Sequence, residues 1–182
     1  AVEDGATVPL FYENRSDLLE IDNPEINDEL AEAVEAADVD ENQREKLERD
    51  LAREYHVITS EKRLDKIARD FVKHYSGIWE CGKAMFISVD KVTAARMHGL
   101  VQKYWAEEIA AQEAALKHDT QQEAQERQRK IDWMRETEMC LVVSEEQNEI
   151  ATFAKWGIDI APHRKKMATR ELDKEFRDPD NP

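Results

Sequence analysis

The chain has 182 residues, 37% charged and 41% hydrophobic, with few Gly and Pro. That suits a helix-rich globular chain able to bury a core and argues against a disordered or fibrous one. The net charge of −15 argues at face value against a nucleic-acid partner, because phosphate binding draws on clustered Lys and Arg. The acidity is concentrated, however: residues 1 to 54 hold 18 acids and 5 bases, whereas residues 55 to 182 hold 23 acids and 21 bases.

The opening "AVEDGATVPLFYENR" has no basic start followed by a long apolar block, so it does not read as a secretion signal, and a cytosolic location is expected. No run of about 18 apolar residues occurs, so no membrane span is expected. "ATVPLFYENR" reads as an extended arm or edge strand, because Pro9 cannot donate to a ladder. "NPEINDELAEAVEAAD" then has Asn23 as cap, Pro24 at the first helical position, and Ile26, Leu30, Ala33, Val34 and Ala37 at helical spacing. A second helix is expected from Asp40, with Leu47, Leu51, Ala52 and Tyr55 inward. The acids on both form either a solvated face or a docking surface for a basic partner.

In "TSEKRLDKIARDFVKHYSG", the residues Leu64, Ile67, Ala68, Phe71, Val72 and Tyr75 mark one helix face, with Thr59 or Ser60 as cap and Gly77 as stop. "KAMFISV", Lys83 to Val89, reads as a strand covered on both faces. Asp90 caps a helix with an apolar stripe of Ala94, Met97, Leu100, Val101, Tyr104 and Trp105. Residues 106–136 read as an exposed helical excursion broken near Asp119 and Thr120. "MCLVVS", Met139 to Ser144, is a second expected strand. After it come a helix over roughly Glu145 to Trp156, a loop through "GIDIAPHRKKMATR", a short helix in "RELDKEFRD" and an extended tail. Helix, strand, helix predicts an α/β fold with a parallel sheet. Two core strands are fewer than a complete sheet of this kind has, so the chain reads as a cut from a larger domain.

Catalytic signatures are missing. A phosphate loop places Gly-rich backbone and Lys after a strand, at a helix start, whereas Gly82 and Lys83 precede the expected strand and no G-x-x-x-x-G-K-[ST] occurs. His56, His74, His98, His118 and His163 have no partners at metal-ligand spacing, and Cys81 and Cys140 read as buried, reduced thiols. Two places invite a ligand. "PHRKKMATR" carries Arg164, Lys165, Lys166 and Arg170, which either hold a phosphate backbone or pair with Asp173, Glu175 and the acidic front segment. Ser88, Lys91 and the free amides at the start of the Asp90 helix form the other.

Five segments in order carry a resemblance: "DGATVPLFYENR", "EYHVITSEKRLDKIARDFVKHY", "GKAMFISVDKVTAARM", "RKIDWMRETEMCLVVS" and "PHRKKM…LDKEFRDPDNP". Together they resemble the restriction (motor and nuclease) subunit of type I restriction-modification enzymes, over essentially the whole chain. The resemblance implies a partial RecA-like (P-loop-type) parallel sheet with a helical front segment and a helical insertion. Residues 1–58 would be the acidic connector between motor lobes, and 59–182 the amino-terminal part of the second lobe. Lys83 to Arg96 match helicase motif IV, near the nucleic acid. Walker A, DExx, motifs V and VI and the nuclease residues would lie outside, so no catalytic residue carries over. It further implies ATP and Mg²⁺ as cofactors of the intact subunit. Its partners would be duplex DNA and the methyltransferase and specificity subunits. Ser88, Lys91, Arg164, Lys165 and Lys166 become the candidate DNA contacts. The alternative is a non-catalytic helical protein-interaction module.

Overall fold

The computed structural model describes Tyr55 and residues 57–178, so the expected arm, the two front helices and the last residues of the tail lie outside the described residues, as does the Cys81 side chain. The chain divides into two units, 1–63 and 64–182, and most of the described residues belong to the second.

Six α-helices occur among the described residues: α1 (Glu61–Gly77), α2 (Lys91–Ala115), α3 (Gln121–Glu136), α4 (Glu149–Ala154), α5 (Ala161–Thr169) and α6 (Leu172–Arg177). α1 begins one residue past Ser60, ends at Gly77, and buries Leu64, Ala68 and Val72 on the face its apolar spacing marks. Asp90 caps α2 as expected, its carboxylate accepting from Thr93 N–H at 2.8 Å and the Thr93 hydroxyl at 2.7 Å. α2 is the central element because it is apolar on two sides. Met97, Val101, Tyr104 and Trp105 join α1 and Met134 of α3 in the larger core, while Ala95 joins Leu141, Phe153 and Ile160 in a smaller one.

The excursion is a helical hairpin. α2 runs to Ala115, a 3₁₀ turn spans Leu116–His118, and Thr120 starts α3 through a capping box with Glu123. Asp119 receives Arg127 at 2.5 Å, which also reaches Gln112 on α2, and Trp105 donates its indole N–H to Met134 O at 2.8 Å. These bonds tie the two arms together where the apolar stripe thins out.

The expected RecA-like parallel sheet is not seen: no described residue is in a strand, and residues 83–89 and 139–144 are non-helical segments without a ladder. The physical reason differs between the two. Met85, Ile87 and Val89 are 71%, 83% and 62% exposed, so this segment is not covered on both faces; Phe86, itself 40% exposed, meets Phe71 edge-on at 5.2 Å. Its start is held by side chains, with the Tyr75 hydroxyl donating to Gly82 O at 2.9 Å and the Lys83 ammonium to the carbonyls of Glu175 and Asp178. Along 139–144, side chains take the bonds a neighbouring strand would take. His98 Nε2 lies 3.2 Å from Met139 O, Val143 N–H donates to Met167 Sδ, and Arg164 donates to Val143 O and Ser144 O at 2.7 and 2.8 Å.

The carboxyl-terminal part departs from expectation as well. The helix expected over Glu145 to Trp156 is shortened to Glu149–Ala154, and most of the expected loop is α5, with Pro162 in its first turn. The terminal helix expected in "RELDKEFRD" is present as α6.

Candidate nucleic-acid interface

Two of the five candidate contacts, Lys91 and Arg164, meet at one acidic turn. Lys91, the first residue of α2, places Nζ 2.9 Å from Glu146, and Arg164 of α5 reaches Glu149 through two bonds of 2.6 and 2.5 Å. Glu146 and Glu149 are themselves joined, the Glu146 N–H donating to the Glu149 carboxylate at 3.3 Å. The structure therefore brings Lys91 and Arg164 together on residues 146 to 149, a proximity no local spacing announces.

Arg164 is a structural clamp. Its guanidinium bonds Glu149, Val143 O and Ser144 O, using its fixed fork of donors to fasten α5 to the preceding segment. The Arg164 guanidinium holds the Glu149 carboxyl below its ordinary range. Lys166 and Arg170 converge on Glu138, at 2.7 Å each, and Arg170 also grips Glu175. These bonds, Lys166 first, hold the Glu138 carboxyl low. Arg170 thus has the Glu175 partner that the sequence offers as one alternative, while Glu138 and Glu149 are partners that the sequence reading misses.

Lys165 differs from its neighbours. It is exposed on α5, and no side-chain bond of its ammonium to another described residue is present. Ser88 stands before the α2 cap with its hydroxyl oxygen buried and without a hydrogen-bond partner among the described residues. Lys91, Arg164 and Lys166 are charge-compensated, so a phosphate must compete with Glu146, Glu149 and Glu138 for them; Lys165 carries no such competitor.

The Gly82–Lys83 pair does not fit a nucleotide phosphate. Gly82 has φ of 100°, and the Lys83 ammonium is engaged by two backbone carbonyls, at 2.9 Å from Glu175 O and 2.6 Å from Asp178 O. No group of three or more His, Cys, Asp or Glu side chains placed to hold a metal ion occurs among the described residues.

One juxtaposition is invisible in the sequence. The rings of His98 on α2 and His163 on α5 meet edge-to-face at 4.8 Å. Cys140, in the second expected strand, is a free, half-buried thiol whose pKa is pushed up by burial. No helix among the described residues is long and apolar enough to cross a membrane. No family model matches the chain, and no curated protein or solved structure is detectably similar to it.

Proposed function

We propose that this chain is a non-catalytic, helical part of the ATP-driven DNA translocase of a type I restriction enzyme. The observation that carries the reading is the ordered run of five segments resembling that subunit, from "DGATVPLFYENR" to "LDKEFRDPDNP". ATP and Mg²⁺ would be bound by other parts of the subunit, and duplex DNA together with the methyltransferase and specificity subunits would be the partners. The contribution of this chain is positioning: α5 offers the exposed Lys165 to a phosphate backbone, with Lys91, Lys166 and Ser88 in the same unit.

Filter binding of the intact subunit to duplex DNA across a salt series tests this. Lys91→Ala, Lys165→Ala and Lys166→Ala each weaken binding and reduce the salt slope by about one per phosphate contact removed. Arg164 is a poor probe, because its loss opens the clamp on residues 143 and 144. Unchanged affinity and slope in all three variants would take DNA contact away from this chain.

A second reading, a helical protein-interaction module, is favoured by the α2–α3 hairpin, whose arms beyond Trp105 present mainly Glu, Gln and Ala. It predicts that removing the hairpin tip abolishes partner capture while leaving DNA affinity intact.

A further inference from the structure

α5 is fastened to Val143 and Ser144 by the Arg164 and Met167 hydrogen bonds and to the surrounding residues by contacts of two further kinds. One is ionic: Arg164 with Glu149, and Lys166 with Glu138. The other is the imidazole pair, in which His98 and His163 meet at 4.8 Å with their planes at 84°. The Met139 carbonyl only accepts, so the His98 Nε2 that lies 3.2 Å from it is the donor, and this ring links α2, the 139–144 segment and α5 in one chain of contacts. Both rings are only partly exposed.

Packing of this sort suits two neutral rings and not two cations. A proton gained by His163 is disfavoured by burial and by the nearby Lys166 ammonium, and a further proton on His98 would set two cations in contact. The charged and titratable neighbours of His163 are His98 from α2, Lys166 one turn along α5 and Asp159 from the loop before it. Asp159 alone favours the cation. Glu138, which enters the 139–144 segment, is engaged by Lys166 and Arg170. The Met167 sulfur, on the same helix, receives the Val143 N–H.

We propose that the His98–His163 contact is a pH-sensitive latch that helps hold α5 on residues 139–144 while the rings are neutral and loosens it when His163 gains a proton. The direction is consistent with the environment of His163: burial, then His98 and Lys166, hold its imidazole below the ordinary value. The folded state is then the less protonated one. The stabilisation is complete above the unfolded pKa of about 6.5, declines as the pH falls through that value, and levels off below the folded pKa. The carboxylates Glu138 and Glu149 are held below their ordinary range, so their ion pairs survive through this interval. The latch therefore releases in a pH window of its own.

Two-dimensional NMR of the full chain between pH 7.5 and 5 tests the proposal, following both imidazoles and amide protection corrected for intrinsic exchange. Protection of residues 161–169 and 143–144 falls several-fold as the His163 ring titrates, whereas the hairpin amides of 121–136 keep theirs. His163→Phe, which preserves an edge-to-face ring without a titrating group, flattens this dependence. His98→Gln, which keeps a donor for Met139 O, weakens it by removing the ring contact while burial and Lys166 still act on His163, and serves if the first variant does not fold. Equal loss of protection in α3 and α5, or an unchanged pH dependence in both variants, overturns the latch.

Discussion

Phe153 and Met85 make a pair of test residues, because both are large apolar side chains within expected elements and the structure treats them oppositely. Phe153 is among the most deeply buried side chains and closes the smaller core with Ala95, Leu141 and Ile160; Met85, in the stretch expected to be a covered strand, is 71% exposed. Phe153→Ala leaves a cavity and costs about 3–5 kcal/mol. Met85→Ser changes stability by no more than about 0.5 kcal/mol, as an exposed substitution does. Chemical denaturation of the two variants checks both, and a loss of several kcal/mol in Met85→Ser would restore the covered strand. At this scale the Asp90 cap is the most legible feature, since it acts through bonds three residues away, whereas the sequence marks Asp119 and Thr120 only as a helix break and the structure makes Thr120 the cap. The partners of Arg164 and Lys166 are illegible, because Glu149 and Glu138 reach them through tertiary folding.

Among the elements, the helices are readable wherever a 3.6-residue apolar period is unbroken. α1 and α2 follow their expected stripes, and the break between α2 and α3 falls at Asp119 and Thr120, where short polar residues favour a cap over helix interior. α5 reads as a loop in the sequence because its bases and Pro162 obscure any apolar face; its residues include no buried side chain that would mark one. The two expected strands fail for another reason. "AMFISV" and "CLVV" have the side chains that favour extended backbone, but a strand also requires a hydrogen-bonding neighbour, which local sequence does not specify. In the structure side chains from α2 and α5 meet the polar groups of 139–144 instead. The hairpin supplies the prediction at this scale. Thr120→Ala removes the capping box and costs about 0.5–2 kcal/mol, whereas Thr120→Asp retains most of the stability. Equal thermal midpoints for the alanine variant and the unaltered chain would show that the α3 start is held by packing alone.

For the whole molecule, charge and the ordered segments say more about function than the fold does. The bases excess to local pairing are few around α5, since Lys91, Arg164, Lys166 and Arg170 each have a carboxylate within hydrogen-bonding distance. Among the described residues few bases around α5 are free of a carboxylate partner, and the lysine of the Gly82–Lys83 pair is tied to Glu175 and Asp178. Under the proposed reading, the energy source of the motor lies elsewhere in the subunit. The direct test is to read the coding sequence on either side of these 182 residues. The account predicts an open frame with a Walker A loop and a DExx element upstream and a motif VI arginine downstream; stop codons flanking the chain, or a continuous frame without those elements, would contradict it.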